Sequence, residues 1–249
     1  MIVPSSVRTL VLMIILALEF LDLESIIEAG EAPFQRTLSP SDHSMPVYHP
    51  PKDNIPHARI ESGMRGEGDN ELKAVALVPD HVGFTIKKDP TLYWHASHAT
   101  SLPIQFTLTD PRSVQSIAEF ELPRPRDSGF QHVRLKDYGI SLDPGIQYRW
   151  SVSIQKHPDQ PSKDLVTGGM IERIDFSEGS AFGLPLTCNR DAVPRYAEAG
   201  LWYDAIGCVS ELIESNPSDS LLRTQRAYLL KQIDLPHIAE FELRQSEAP

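Results

Sequence analysis

Between Leu72 and Ile174 the chain consists of short runs in which apolar and polar side chains alternate at every second position. Successive side chains of a β-strand point to opposite faces of a sheet, so this period predicts strands with one face in a core. Pro, Gly and Asp separate the runs at the spacing typical of a β-sandwich. Seven strands are predicted, with His81–Lys87 as a candidate extra piece beside the first: Leu72–Val78, Thr91–Ser97, Pro103–Thr109, Val114–Leu122, Phe130–Leu135, Gln147–Gln155 and Leu165–Ile174.

The alternation is clearest in the second, third and sixth of these strands. The second strand places Trp94 on one face and both Tyr93 and His95 on the other, while Phe106 and Trp150 belong to the apolar faces of the third and sixth. We therefore predict that each strand has one buried and one solvated face. Burial of each large side chain contributes about 1.5–3 kcal/mol, so three such strands suffice for the core of a two-sheet sandwich.

A turn and a tyrosine precede the sixth strand. Pro144 fixes φ and Gly145 tolerates positive φ, while Tyr148 is similar to the corner tyrosine of immunoglobulin-like sandwiches, whose hydroxyl bonds to nearby backbone. The predicted fold is mainly β, an immunoglobulin-like or fibronectin III-like β-sandwich, with Trp94, Tyr148 and Trp150 as core residues. Such sandwiches have many unrelated functions, so the fold does not assign an activity.

The apolar period lengthens to helical spacing after Thr187, which predicts one or two helical hairpins at the C-terminus. The first matches a tetratricopeptide-type hairpin in its order of small, aromatic, small and proline residues: Gly200, Trp202, Ala205 and Pro217. Ala239 follows Ala205 by one repeat length, although Asp234 replaces the turn glycine in this second unit. The region is too short for a freestanding solenoid, so we expect the helices, with Trp202 in the core, to pack against the sandwich or a partner.

The first 70 residues have a different composition. Thr9–Leu18 is uncharged and apolar, which is typical of a signal-peptide core and about half of what a membrane span needs. Acidic residues follow it closely, so a retained N-terminal helix is the alternative. The next segment is rich in proline and predicts a flexible linker. The predicted organisation is therefore a signal peptide or N-terminal helix (1–32), a linker (33–70), a β-sandwich (71–187) and a helical region (188–249), with no membrane span after cleavage and a periplasmic or secreted location.

Charge and cysteine content narrow the functional classes. The net charge is −11, and no basic face of the kind that binds nucleic acid is apparent. Cys188 and Cys208 are the two cysteines of the chain. In an oxidising compartment they could pair, closing a loop of about 20 residues with a stabilisation of roughly 3 kcal/mol, or they could remain two separate buried thiols.

No motif assigns a catalytic, cofactor or metal site. The string Gly179–Gly183 lacks the spacing of a nucleophile elbow. Aromatic side chains on predicted polar faces and loops give a candidate ligand surface instead, since amphipathic rings suit carbohydrate and other polar ligands. Its members are Tyr93, Phe130 and Tyr138.

Four segments together resemble a bacterial family of exported proteins that is catalogued only as a domain of unknown function. They read RGEGDNELKAVALVPDHVGFTIKKDPTLYWHAS, LPIQFTLTD, LDPGIQYRWSVSI and AGLWYDAI, and the resemblance covers about residues 64 to 240. It implies the same order of signal, spacer, sandwich and helical tail, and it implies no activity. The leading hypothesis is a non-catalytic interaction module with a protein partner in the cell envelope. The alternatives are a binder of carbohydrate or another cell-wall ligand, and a hydrolase whose site is assembled from distant residues.

Overall fold

Strands occupy the first part of the described chain and helices the last. The computed structural model describes residues 45–51, 58–61, 71–113, 115–157, 159–175 and 184–247. The predicted signal segment, 1–32, lies outside these residues. The strands are β1 Ile60–Glu61, β2 Ala74–Ala76, β3 Gly83–Thr85, β4 Thr91–Ala96, β5 Ile104–Thr109, β6 Ser116–Glu121, β7 Gly129–Arg134, β8 Gln147–Ile154 and β9 Leu165–Arg173. The helices are α1 Ala192–Glu198, α2 Trp202–Ser215, α3 Ser220–Gln232 and α4 Pro236–Glu247.

The strands form two sheets. One has the order β1-β9-β8-β5-β6, with β3 also paired to β9, and the other has the order β2-β4-β7. All neighbours are antiparallel except β3 and β9, which run parallel. Each of the seven predicted strands corresponds to an observed strand. The extra piece, His81–Lys87, also contains a strand, but the prediction of its place was wrong: Gly83 pairs with Ile171 in the other sheet, so the chain crosses between the sheets after β2.

Both sheets contribute to a single hydrophobic core. Trp94 from one sheet and Trp150 from the other are almost completely buried. The Ala76 N–H donates to Thr167 Oγ1 across the sheets at 2.7 Å. The Tyr148 hydroxyl is also buried and accepts the Asp143 N–H at 3.1 Å, which is the return to nearby backbone expected of a corner tyrosine.

The four helices form two hairpins. Gly200 lies between α1 and α2 with φ of 76°, and Asp234 lies between α3 and α4 with φ of 59°. The second turn therefore adopts the left-handed backbone without glycine, which Asp tolerates better than most residues. A disulfide joins Cys188, which precedes α1, to Cys208 in α2. Within the described residues, none of the helices is long and apolar enough to cross a membrane.

The first turn of α2 fastens the helices to the sheets. Trp202 Nε1 donates to the Leu77 carbonyl oxygen at 2.9 Å. The Tyr203 hydroxyl accepts Trp150 Nε1–H at 2.9 Å and donates to the Met170 carbonyl oxygen at 3.0 Å. These side chains and the two sheets belong to the same core cluster, so the helices pack on the strands, as the limited length of the helical region led us to expect.

Asp204, the next residue of α2, is fully buried. Its Oδ2 accepts the Ile86 N–H at 3.0 Å. Burial disfavours the charged carboxylate and raises the pKa of Asp204 to about 6. This contact fixes the end of β3 against the helix.

Part of the predicted linker is also packed on this core. Residues 45–51 are described, and within them Tyr48 is buried with its ring edge-on to Trp202 at 5.0 Å between centroids. The Tyr48 N–H donates to Gln232 Oε1 at 2.8 Å. Strand β1 pairs with β9. The prediction of a flexible linker over 33–70 is therefore wrong for these two pieces, because a buried aromatic ring and strand pairing hold them.

Candidate functional site

The β2-β4-β7 sheet has an outer face that the helices cover. Strand pairing aligns Val75 with His95 and His95 with Phe130, so these side chains lie on this face. Tyr93 shares it and is 2% exposed, while His95 is 5% exposed. The prediction that this face of β4 is solvated was wrong, because α2, α3 and α4 pack against it.

The packing leaves a cleft between this outer face and helices α2–α4, which we call the sheet–helix cleft. It contains two pockets that share Phe241 as a wall. The His95 pocket, of about 380 Å³, is lined by Lys73, Val75, His95, Ser97, His237, Ile238, Phe241 and Arg244. The Arg226 pocket, of about 310 Å³, has walls that include Tyr93, Phe130, His132, Glu214, Arg223, Arg226 and Phe241.

Three aromatic rings form the wall between the pockets. The His95 ring packs edge-on against Phe241 at 4.6 Å and against Phe130 at 5.5 Å between centroids. Phe130 and Phe241 are themselves 5.9 Å apart in an edge-on arrangement. Edge-to-face packing of this kind favours one mutual orientation of the rings. The wall is therefore a fixed apolar surface within the cleft.

A charged cluster stands beside this wall. Arg226 is 4% exposed, and its Nη2 lies 2.6 Å from Glu242 Oε2. Arg223 Nη1 approaches the other oxygen of Glu242 at 3.1 Å. The Arg226 guanidinium also lies 3.8 Å from the centroid of the Phe130 ring and bonds to Ser210 Oγ. Burial lowers the pKa of Arg226, and the charge of Glu242 opposes that shift.

Three buried polar atoms on the walls of the cleft have no hydrogen-bond partner among the described residues. They are the Tyr93 hydroxyl, His95 Nε2 and Arg226 Nε. Leaving such an atom unpaired in a dry interior costs about 1–3 kcal/mol. Burial raises the pKa of Tyr93 and lowers the pKa of His95 to about 4, with the charges of His237 and Arg226 adding to the second shift. At neutral pH, His95 is therefore uncharged and can offer either a donor or an acceptor.

The predicted ligand surface is divided by the structure. Tyr93 is buried and Phe130 is half-buried, and both line the Arg226 pocket. Tyr138 is 41% exposed and stacks on Phe120 at 3.7 Å, away from the residues that line the cleft. The three rings therefore do not present one continuous platform, and carbohydrate binding stays a prediction.

One serine–histidine pair lies at the edge of the His95 pocket. Ser97 Oγ is 2.9 Å from His98 Nδ1, and it also accepts the Lys73 N–H at 2.7 Å. Among the described residues no carboxylate contacts His98, so the pair lacks the group that usually orients the base. In the same part of the chain, no three His, Cys, Asp or Glu side chains are grouped as metal ligands.

Comparisons with known proteins identify a family but no activity. The sequence model of a family described as Domain of Unknown Function (DUF928) matches residues 60–243. Among solved structures, a multi-domain immunophilin from Arabidopsis thaliana matches 72% of this chain and 95% of that chain, with 10% identity and a TM-score of 0.18. A TM-score this low carries no argument about fold or function. None of the curated proteins matches the chain.

Proposed function

The chain belongs to the DUF928 family over residues 60–243, and from this premise we propose that it is a non-catalytic protein-interaction module of the bacterial cell envelope. The observation that supports the proposal is the sheet–helix cleft. Its walls combine a fixed aromatic surface with three buried polar atoms that have no partner among the described residues. A ligand that supplied partners to these atoms would offset the cost of their burial.

The dimensions of the cleft suit a peptide segment. Each pocket has the volume of a small ligand site, and Phe241 is a wall of both. One segment of a partner could therefore place two neighbouring side chains on the two sides of this ring. Secondary structure from both the sheet and the helices builds the walls, so binding needs little reorganisation of the backbone.

Peptide selection on the immobilised full chain tests the proposal. We expect selected peptides to bind the wild type and to bind Phe241→Ala about tenfold or more weakly, because removal of a central aromatic contact is usually costly. Tyr138→Ala is the matched control, since it removes an exposed ring outside the cleft and should leave binding unchanged. Circular dichroism of both variants checks that they fold. Failure to select any peptide, or equal binding by Phe241→Ala, would contradict the proposal.

A hydrolase is the second candidate, because Ser97 Oγ and His98 Nδ1 lie within hydrogen-bond distance. If Ser97 is a nucleophile, a fluorophosphonate probe should label the wild type and should not label Ser97→Ala. A substrate panel of esters, peptides and glycosides would then identify the reaction. Absence of labelling together with absence of turnover would contradict the hydrolase function.

Export belongs to the same proposal and depends on the predicted signal segment, which lies outside the described residues. The small residues Gly30 and Ala32 make Pro33 the predicted first residue of the mature chain. The intact mass of protein recovered from the periplasm or the medium tests this. A mass that includes residues 1–32 would favour the retained helix instead.

A further inference from the structure

We propose that the His95 pocket binds a carboxylate that is attached to an apolar group, as found at the C-terminus of a peptide that ends in an aromatic or aliphatic residue. This inference rests on the proposed function, because it names the chemistry that the sheet–helix cleft would recognise in its partner. Three independent features of the pocket support it: an apolar wall, a cationic rim at a helix N-terminus, and a buried histidine nitrogen without a partner.

The apolar part of the ligand has a defined place. Val75, Ile238 and Phe241 form the apolar part of the pocket lining, and the His95 ring packs against Phe241. The pocket volume of about 380 Å³ lies within the range of sites that hold small organic groups. A bare inorganic anion would leave this wall in contact with water. The pocket therefore suits an anion that carries an apolar substituent.

The charge of the pocket differs in sign from that of the chain. The whole chain has a net charge of −11, yet Lys73 and Arg244 line this pocket, and among the described residues no Asp or Glu lines it. Glu61 and Glu240 lie close enough to influence the charge of His237, but neither is among the lining residues. A cationic pocket of this kind attracts negatively charged groups.

Helix α4 begins at this pocket. His237 and Ile238 belong to its first turn, and that turn contains no acidic residue. The N–H groups of a first helical turn have no acceptor within their own helix, and the helix dipole places partial positive charge there. No backbone or side-chain acceptor for these two N–H groups is found among the described residues. They are available to the oxygens of an anion.

The second, independent sign of a ligand is His95 itself. Its side chain is 5% exposed and lines the pocket, and its Nε2 has no hydrogen-bond partner among the described residues. In the tautomer with hydrogen on Nε2, the ring donates to one carboxylate oxygen. The second oxygen can then accept from the first turn of α4 or from Lys73 and Arg244. A neutral carboxamide presents only one acceptor oxygen, so the pocket discriminates against it.

Titration calorimetry of the full chain with matched acids and amides tests this. The small probes are 3-phenylpropionate and 3-phenylpropionamide, and the peptide probes are an acetylated tetrapeptide ending in phenylalanine with a free or an amidated C-terminus. We expect both acids to bind and both amides to bind about tenfold or more weakly, because hydrogen bonds to a charged group are the stronger ones. His95→Phe keeps the aromatic packing and removes Nε2, and Arg244→Gln removes one cation, so each should reduce the preference for acid over amide. Lys163→Gln also removes one positive charge, but at an exposed position away from the pocket, so it should leave the preference for acid over amide unchanged.

The outcomes separate this inference from the proposed function. Equal binding of acids and amides would overturn the carboxylate inference and leave the interaction module intact. Binding of 3-phenylpropionate without binding of the peptide acid would support the pocket chemistry and overturn the peptide as its source. Displacement of either acid by an equal concentration of inorganic phosphate would show a general anion site and overturn the inference, as would no binding of any probe. The peptide selection with Phe241→Ala decides the proposed function independently.

Discussion

Replacing His95 with phenylalanine should make the folding stability of the protein less sensitive to acid. The His95 ring is buried against Phe130 and Phe241, and this burial, with the charges of His237 and Arg226, lowers its pKa from 6.5 to about 4. Phenylalanine preserves an aromatic ring at this position and cannot be protonated. The variant therefore removes the titration while it keeps the packing.

The direction of the change in stability follows from the difference in proton binding between the unfolded and the folded chain. Below pH 6.5 the unfolded chain binds a proton at His95 more readily than the folded chain does, so the free energy of unfolding falls as the pH is lowered from 6.5 towards 4. Between pH 7.5 and pH 5, this one group accounts for a loss of about 2 kcal/mol in the wild type. His81, His132 and His237 also have lowered pKa values and act in the same direction, but they are present in both proteins.

Urea unfolding of wild type and His95→Phe at pH 7.5 and pH 5 measures the difference. Between pH 7.5 and pH 5, the free energy of unfolding should fall by about 2 kcal/mol more in the wild type than in the variant. Asp204, whose raised pKa acts in the opposite direction, is unchanged in the variant and cancels from the comparison. An equal loss in both proteins would refute the reasoning, because it would mean that His95 is solvated or has a partner that favours its charged form.

Four further changes test the helices and their packing on the sheets. A Cβ on Gly83 would lie 2.6 Å from the Tyr203 ring, so Gly83→Ala should lower the free energy of unfolding by about 1–3 kcal/mol. Gly207 lies in a helix and has open space around the position of a Cβ, so Gly207→Ala should raise the free energy of unfolding by about 0.5–1 kcal/mol. Tyr203→Phe leaves the buried Trp150 indole N–H without its acceptor, so it should lower the free energy of urea unfolding by about 1–3 kcal/mol. Reduction of the Cys188–Cys208 bond should lower the free energy of unfolding by about 3 kcal/mol.

A specific outcome would contradict each of these predictions. Equal effects of the two glycine substitutions would mean that the Tyr203 ring does not lie against β3. A Tyr203→Phe variant as stable as the wild type would show that the hydroxyl does not connect the helix to the sheets. Unchanged unfolding after reduction, with the free thiols counted by alkylation and mass spectrometry, would mean that the bond does not constrain the unfolded chain.

The sequence predicts the strands well, because the two-residue period is a local signal. It does not predict that both faces of β4 are buried. Tyr and His are amphipathic and occur on buried and solvated faces alike, and the helices that cover them lie more than 100 residues later in the chain. A usable signal was present in α2, where the residues from Trp202 to Ser210 are almost all apolar or small. A helix that is apolar all round is buried on several sides, so it must lie between other elements.

The cleft itself could not be read from the sequence. Arg226, Glu242 and Phe241 lie on two helices whose spacing shows no catalytic or metal-binding motif. Their meeting with His95 depends on the angle at which the second hairpin packs on the sheet, and on a turn in which Asp234 takes a left-handed conformation. The sequence does not decide the disulfide for a similar reason, since loop length alone does not bring two sulfur atoms together.

The helices that cover the β2-β4-β7 sheet follow it late in the sequence, and this order has a consequence for biogenesis. During synthesis the ribosome completes this sheet with Arg134, but the last aromatic residue that covers it, Phe241, is added more than 100 residues later. Until then Val75 and Tyr93 face water on a nascent chain, and such apolar surface promotes aggregation. Truncation within α4 should therefore lower the yield of folded protein sharply, and a chaperone that shields this surface would have to act until α4 has been synthesised.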